Sequence, residues 1–138
     1  IQSRKIQRIF ELCDEIHSVD RIKIVQAIKG LEEKYKKKKS YFIQVNTGNE
    51  PLKSGVNIDE IDQFIEETRS QYDLSIKGLM CIPPIDDNPE KHFKILKDIA
   101  NKYHIKCLSM GMSNDYDVAV QNGATHVRIG TSIFGARD

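Results

Sequence analysis

The sequence predicts an α/β fold, with about five βα units that form part of a TIM (β/α)8 barrel. Segments with apolar residues at helical spacing alternate with short apolar runs, which is the pattern of repeated βα units. Most of the runs are continuously apolar, as strands of a helix-covered parallel sheet must be. No Asn-Gly or Asp-Gly hairpin joins two runs. A complete barrel needs about 250 residues, more than the 138 of this chain.

The predicted elements follow one another in a regular order. Helices are predicted where apolar residues recur every third or fourth position, and strands where apolar residues run together. The predicted helices cover 6–13, 24–35, 58–72, 93–103 and 113–122. The predicted strands cover 16–19, 41–46, 76–82, 107–111 and 126–130. Each strand is therefore followed by a helix or by a helix start.

Polar residues and one proline mark where the predicted helices begin. Side-chain oxygens at these positions can accept hydrogen bonds from the free N–H groups of the first helical turn. The signals are Asp20, the capping-box pair Asn57 and Glu60, Asn88 followed by Pro89, and Ser113. Asn122-Gly123 is a typical helix C-terminal stop.

The charge balance limits the class of partner. The 21 lysines and arginines nearly match the 20 aspartates and glutamates, for a net charge of +1. Nucleic-acid and membrane-surface proteins usually carry a strong basic excess. No apolar run approaches the roughly 20 residues that cross a bilayer. We therefore expect neither a nucleic acid nor a membrane as a partner.

Several side chains that could carry chemistry are predicted to be structural. Cys13, Cys81 and Cys107 lie far apart in apolar stretches, without zinc-ligand spacing. We expect them to be buried thiols in a reducing, cytoplasmic compartment, and we predict no metal site. The lysines 36–39 suit a solvated helix C-terminus, and His92 is predicted to be a surface residue.

The chain begins with Ile1, and its first residues do not have the layout of a signal peptide. Three further βα units of about 30 residues each would complete a barrel. We therefore expect residues 1–138 to be the C-terminal part of a single barrel domain whose first three strands are absent from this chain.

One candidate site lies at the end of the fourth predicted strand. In a parallel α/β domain, functional residues collect where strands end and helices begin. Gly111 lets the backbone approach a ligand, and Ser113 supplies a hydroxyl at a helix start. Free N–H groups at such a start bind phosphate. The alternative is that Ser113 only caps the helix.

The end of the last predicted strand has the same design. Gly130 and Thr131 place a small residue and then a hydroxyl after the strand. Arg128 alternates with apolar neighbours, so it should point into the barrel interior, where a charge needs a partner. Barrel enzymes often hold phosphate with the loops after strands seven and eight, and these two corners correspond to those loops. The alternative for Arg128 is a structural salt bridge.

Two other segments are weaker candidates. His17, Ser18 and Asp20 are residue types found in catalytic triads, but neighbours in sequence cannot converge as a triad does. We therefore predict no catalytic residue there. Residues 53–55 (Lys-Ser-Gly) lie in the loop after the second strand, either facing a ligand or forming a turn.

The C-terminal motifs resemble those of a known family. The segments SMGMS at 109–113 and RIGTSIFGAR at 128–137 are similar to motifs of the pyridoxal-phosphate homeostasis proteins (the YggS/PROSC family). Upstream segments agree in the same order, namely 1–5, 17–20, 44–46, 53–55 and 78–83. The resemblance therefore covers the whole chain.

The resemblance implies a fold and a cofactor. The family fold is a single-domain barrel similar to the N-terminal domain of alanine racemase, and its members bind pyridoxal 5′-phosphate (PLP). By resemblance, Ser113, Gly130 and Thr131 hold the phosphate, and Arg128 faces the pyridine nitrogen.

The family's Schiff-base lysine lies in the first strand of the barrel. By the same resemblance it is absent from this chain, because Lys77 lies in another strand and Lys53 in another loop. We therefore expect this chain to bind PLP weakly or only non-covalently.

The resemblance also implies a role: intracellular PLP homeostasis by a non-catalytic carrier that is a monomer when complete. A permanently cationic Arg128 should leave the ring nitrogen unprotonated, which weakens the cofactor as an electron sink. Two alternatives stay open. The chain is a PLP-dependent, racemase-like enzyme acting on amino acids, or it is an inert truncated remnant that lacks the Schiff-base lysine.

Overall fold

The computed structural model describes residues 5–135 of the chain. Residues 1–4 of the N-terminal motif and residues 136–137 of the C-terminal motif lie outside the described residues. The helices are α1 (Ile6–Leu12), α2 (Ile22–Tyr35), α3 (Ile61–Ser70), α4 (Pro89–Lys102), α5 (Tyr116–Gln121) and α6 (Thr131–Phe134). The strands are β1 (Glu15–Val19), β2 (Ser40–Asn46), β3 (Val56–Asn57), β4 (Ile76–Cys81), β5 (Cys107–Met112) and β6 (His126–Arg128). The predicted α/β class is confirmed.

Within residues 5–135, the strands form one parallel sheet in the order β1-β2-β4-β5-β6, and β3 pairs with the end of β2. Parallel neighbours need a crossover connection, which helices supply except between β2 and β3, where a loop at 47–55 makes the connection. The sheet is curled like part of a barrel, because His17 in β1 lies within hydrogen-bond distance of Ser109 in β5, three strands away. The carboxyl ends of all strands meet at one edge, here called the carboxyl edge.

The two faces of the sheet carry different side chains. In β2, Tyr41, Ile43 and Val45 belong to the apolar core, whereas Phe42 and Gln44 alternate with them and lie on the concave face. The helices bury their apolar stripes in the same core. Their buried residues include Ile24, Ile28, Leu31, Ile61, Ile65, Phe93, Leu96 and Ala100. The concave face is therefore the one that is free to carry polar groups.

One helix start follows the sequence prediction and another does not. The Asn88 side chain accepts a hydrogen bond from the Glu90 N–H at 3.0 Å, with Pro89 opening α4. Asp20 was expected to cap α2, and this is wrong. Its carboxylate accepts hydrogen bonds from the Arg21 guanidinium instead, because a charged donor is a stronger partner than a backbone amide.

Two further predicted caps are also wrong. Asn57 pairs with β2 as part of β3, and its side chain donates to the Glu60 carboxylate rather than capping α3. Ser113 does not cap α5, whose N-cap position is Asp115. The sheet pairing of Asn57 and the turn that precedes Asp115 shift both helix starts towards the C-terminus.

Burial differs from expectation at four side chains. Cys81 is buried as predicted, but Cys107 is only partly buried, and Cys13 is exposed because α1 ends one residue before it. His92 is buried on the inner face of α4, not on the surface. Lys39 is also buried, and its ammonium donates to the Cys13 carbonyl and lies over the Phe10 ring. The sequence prediction of a solvated run at 36–39 is therefore wrong at Lys39.

Gly78 is required by the close approach of an aromatic ring. A Cβ at this position would lie 2.2 Å from Cε1 of Phe42 and 2.7 Å from the carbonyl oxygen of Cys107. The Phe42 ring is fully buried and stacks on the ring of His17, with centroids 3.8 Å apart. The missing side chain therefore lets a stacked pair of rings cover the concave face.

We expect Gly78→Ala to lower the free energy of unfolding by about 1–3 kcal/mol, because the added methyl overpacks this contact. The matched change Gly30→Ala lies inside α2, where a Cβ meets no atom within 4 Å. It should raise the free energy of unfolding by up to about 1 kcal/mol. Denaturant unfolding followed by circular dichroism measures both, and equal effects of the two changes would contradict the close approach.

Candidate functional site

The cofactor-binding residues predicted from the sequence meet at the carboxyl edge, where β5 and β6 end side by side. The Ser113 hydroxyl oxygen accepts hydrogen bonds from the N–H of Gly130 at 3.2 Å and from the N–H of Ser132 at 3.3 Å. Thr131 lies between these two residues. We call Ser113 together with residues 130–132 the β5–β6 corner.

The backbone before the β5–β6 corner is shaped by Gly111. Its φ is +93°, a conformation that favours glycine, and a Cβ there would lie 2.6 Å from the Cβ of Ala119. The Met112 N–H then donates to Oδ1 of Asp115 at 2.6 Å. These contacts hold the turn in which Ser113 reaches across to β6. On the other side of the corner, a Cβ at Gly130 would meet no atom within 4 Å, so the space there is open.

Arg128 is half-buried on the concave face, next to the β5–β6 corner. Its Nη1 donates to the Ser109 hydroxyl at 2.7 Å, and its Nη2 donates to the Cys81 carbonyl at 2.9 Å. No carboxylate of residues 5–135 lies within ion-pair distance of it, so that part of the chain supplies no structural salt bridge. Burial lowers the pKa of Arg128 from its ordinary value, but a guanidinium remains charged at neutral pH.

His17 is a neighbour of this group that the sequence reasoning did not assign to the site. Its Nδ1 lies 2.9 Å from the hydroxyl of Ser109, which is fully buried. Its Nε2 lies 3.3 Å from Oε2 of Glu15. The strand alternation carried a signal, because every second residue of a strand shares a face and His17 therefore faces the same way as Glu15. Alternation alone does not show which distant residue His17 meets.

The Glu15 carboxylate contacts basic side chains at the amino end of the strands, opposite the carboxyl edge. The Lys77 ammonium donates to it, and Nε2 of His126 lies 3.4 Å from its Oε2. The hydrogen bond from Lys77 lowers the pKa of Glu15, and the same bond raises the pKa of Lys77. Both groups are therefore charged at neutral pH.

An open groove of about 630 Å³ lies at the carboxyl edge between the loops after β2 and β4. Lys53 lines it, as the ligand-facing alternative requires, and its ammonium pairs with Glu50 at 2.9 Å. The buried His92 also lines it, with Nδ1 3.0 Å from Oγ1 of Thr47 and Nε2 3.0 Å from Oδ2 of Asp87. The imidazole therefore joins the two loops.

Residues 5–135 contain neither a membrane-spanning helix nor a cluster of metal ligands. No helix in this part of the chain is long and apolar enough to cross a membrane. No group of three or more histidine, cysteine, aspartate or glutamate side chains in the same part is placed to hold a metal ion.

The alanine racemase N-terminal domain model matches residues 1–138. The chain belongs to this family. A pyridoxal phosphate homeostasis protein of Escherichia coli (strain K12) is 33% identical over 146 residues, covering 100% of this chain and 62% of that protein. The chain therefore spans less than two thirds of the length of this relative. The predicted family resemblance is confirmed.

Solved structures agree on the fold. PipY of Synechococcus elongatus PCC7942, solved with PLP bound, superimposes with a TM-score of 0.84 at 26% identity, covering 98% of this chain and 67% of PipY. Alanine racemase of Clostridium difficile 630 in complex with cycloserine gives a TM-score of 0.69 at 14% identity, covering 99% of this chain and 40% of the racemase. The second likeness shows the fold alone. Together they confirm the predicted partial barrel.

The packing at the end of β4 can be tested through its cysteine. Burial raises the pKa of the Cys81 thiol to about 12, whereas Cys13 is exposed. Because the thiolate is the reactive form, iodoacetamide at pH 8 should modify Cys13 and leave Cys81 unmodified, as read by mass spectrometry of peptides. Denaturant should make both cysteines reactive. Modification of Cys81 as fast as that of Cys13 in the native chain would contradict this packing.

Proposed function

We propose that this chain binds PLP at the β5–β6 corner and serves intracellular PLP homeostasis as a non-catalytic carrier. One observation carries the proposal. The N–H groups of Gly130 and Ser132 converge on the Ser113 oxygen, next to an Arg128 guanidinium that no carboxylate of residues 5–135 pairs with. An anion site thus adjoins a fixed positive charge, as a phosphorylated heteroaromatic ligand requires.

The β5–β6 corner fits a phosphate group. The N–H groups of Gly130 and Ser132 point towards one acceptor oxygen at the edge of this corner, and backbone N–H groups bind an anionic oxygen more strongly than a neutral one. The hydroxyls of Ser113 and Thr131 add two donors. The open space beside Gly130 gives the ligand room. These features support Ser113, Gly130 and Thr131 as the phosphate-binding residues.

Arg128 fits the ring of the same ligand. When bound, PLP supplies a pyridine ring that withdraws electrons, and a protonated ring nitrogen strengthens that effect. A guanidinium only donates hydrogen bonds and keeps its charge, so a nitrogen that faces Arg128 accepts a hydrogen bond and stays unprotonated. This arrangement favours holding the cofactor over using it as an electron sink.

The relatives support the same ligand. The Escherichia coli protein is named a pyridoxal phosphate homeostasis protein, and PipY was solved with PLP bound. Because the chain spans 62% of the Escherichia coli relative, the homeostatic role of the whole protein belongs to the proposal.

The experiment uses ligands that cannot form a Schiff base with surface lysines. Pyridoxine 5′-phosphate has an alcohol in place of the PLP aldehyde, and pyridoxine is its matched control without phosphate. We expect saturable binding of pyridoxine 5′-phosphate in equilibrium dialysis, competition by inorganic phosphate, and at least about tenfold weaker binding of pyridoxine. Equal affinity for the two ligands would contradict the phosphate site.

Substitutions test the phosphate-binding corner and the ring-binding Arg128 separately. Ser113→Ala should weaken both pyridoxine 5′-phosphate and inorganic phosphate. Arg128→Gln should weaken pyridoxine 5′-phosphate by about tenfold or more, because a hydrogen bond from a charged group is lost. Ser70→Ala and Arg69→Gln, matched changes on exposed positions of α3, should leave both affinities unchanged. Unchanged binding in both site variants would overturn the residue assignment.

Racemase-like activity on amino acids has less support. Such an enzyme needs a lysine base beside the cofactor, and the two lysines singled out from the sequence are paired with carboxylates, Lys53 with Glu50 and Lys77 with Glu15. With PLP and L-alanine, the chain should form no D-alanine in a chiral chromatography assay. D-alanine formation that Arg128→Gln abolishes would overturn the non-catalytic role while leaving the binding site in place.

A further inference from the structure

A row of hydrogen-bonded side chains runs across the concave face from β6 to β1, behind the proposed cofactor site. It begins at Nη1 of Arg128, which donates to the Ser109 hydroxyl at 2.7 Å. It continues over 2.9 Å from that hydroxyl to Nδ1 of His17 and ends over 3.3 Å from Nε2 of His17 to Glu15. A guanidinium and a carboxylate are thus connected through two side chains that can both be neutral.

The chemistry of the donors sets the direction of this row. Arg128 only donates, so the Ser109 oxygen is an acceptor in the first bond. Ser109 is fully buried, and its single O–H hydrogen needs an acceptor of its own. Nδ1 of His17 supplies it if that nitrogen carries no proton. The proton of a neutral His17 is then on Nε2, which donates to Glu15, and every group in the row is satisfied.

We propose that His17 is a positioning residue for Arg128. In its neutral Nε2–H form it orients the Ser109 hydroxyl, and this hydroxyl in turn holds the guanidinium where it meets the ring nitrogen of the cofactor. The consequence for the ligand rests on the proposed function. The orientation of Arg128 by His17 is a property of the chain without ligand.

A protonated His17 cannot orient the Ser109 hydroxyl. Both ring nitrogens would then donate, so the Ser109 oxygen would face two donors and its own hydrogen would lose its acceptor in a buried place, which is costly. The positive imidazolium would also add to the charge of Arg128. We therefore expect the row to break when His17 takes up a proton, and the hold on Arg128 to weaken.

The surroundings of His17 keep it neutral at physiological pH. Burial lowers the pKa of His17 most strongly, and the hydrogen bond to Glu15 acts in the opposite direction. Phe42 of β2, which stacks on the ring, brings no titratable group. The titratable and charged groups that face the imidazole are Glu15 on β1, Lys77 on β4 through Glu15, and His126 and Arg128 on β6. The row should therefore be intact at neutral pH and break only below the ordinary histidine pKa of about 6.5.

Three variants separate positioning from packing. His17→Phe keeps a ring to stack on Phe42 and removes the acceptor. His17→Asn places an amide oxygen near the position of Nδ1, and that oxygen does not take up a proton in this pH range. Ser109→Ala removes the middle of the row and leaves His17 in place.

The first experiment compares two ligands that use the site differently. Inorganic phosphate needs only the β5–β6 corner, whereas pyridoxine 5′-phosphate also meets Arg128. We expect His17→Phe and Ser109→Ala to weaken pyridoxine 5′-phosphate by about tenfold, as for one hydrogen bond to a charged group, with phosphate affinity unchanged. His17→Asn should restore most of the loss. Equal losses for both ligands would mean general damage to the fold and would overturn the positioning role.

The pH profile adds a readout that a purely structural role would not move. The ratio of wild-type affinity to His17→Asn affinity at each pH cancels the titration of the ligand itself. As pH falls below about 6.5, this ratio should drop, because only the wild type has a side chain at position 17 that can take up a proton. A ratio that stays constant at every pH at which circular dichroism shows the chain to be folded would overturn the inference.

The second experiment needs no ligand, so it can fail separately from the proposed function. In ¹⁵N NMR of the full chain at pH 7.5, the His17 ring should carry its proton on Nε2. The Arg128 N–H signals should exchange slowly in the wild type and in His17→Asn, and rapidly in His17→Phe and Ser109→Ala. A proton on Nδ1, or Arg128 signals that ignore the His17→Phe change, would overturn the inference. A chain whose His17 and Arg128 signals behave as expected but which binds no pyridoxine 5′-phosphate would refute only the cofactor site.

Discussion

The arrangement of side chains on the concave face depends on the positive charge of Arg128. Arg128 carries a guanidinium into the half-buried interior of a curled sheet, and neutral atoms hold it there: the Ser109 hydroxyl and the Cys81 carbonyl. A buried charge needs compensating hydrogen bonds, and each of these partners comes from a different strand. The position of Arg128 is therefore tied to the pairing of β4, β5 and β6, and only a sheet in this register presents it to the carboxyl edge.

The curvature of the sheet completes this arrangement. Because Gly78 has no side chain, the Phe42 ring lies close over β4 and supports the ring of His17 above it. This packing lets a residue of β1 reach a residue of β5. The charged groups then separate along the strands. Glu15 and Lys77 pair at the amino end, and Arg128 lies next to the carboxyl edge, where the backbone N–H groups of the β5–β6 corner also converge. We therefore expect an anionic ligand at the carboxyl edge.

The sequence was sufficient for features that follow from local rules. Continuous apolar runs indicated the strands, alternation indicated that Arg128 faces inward, and the rule that sites form at strand ends brought Ser113 together with Gly130 and Thr131. Sequence patterns do not predict contacts between residues that are far apart in the chain. The contact between His17 and Ser109 joins residues 92 positions apart and depends on the curl of the sheet.

The wrong predictions have similar causes. Asp20 does not cap α2 because its carboxylate accepts hydrogen bonds from the neighbouring Arg21 guanidinium. Asn57 does not cap α3 because it pairs with β2 as part of the short parallel strand β3. The prediction of a surface position for His92 is wrong as well. Its spacing of four residues from Leu96 in α4 was a signal that it shares the buried face of that helix.

We expect an anion and an aromatic nitrogen of one ligand to meet the β5–β6 corner and Arg128 at the same time. ¹⁵N NMR of pyridoxine 5′-phosphate labelled at its ring nitrogen checks this double contact, with the ligand bound to the chain at a pH where the free ring nitrogen is protonated. We expect the bound nitrogen to be unprotonated in the wild type, because it accepts a hydrogen bond from a permanent cation, and to regain its proton in Arg128→Gln. A bound ring nitrogen that stays protonated in the wild type would show that Arg128 does not meet it.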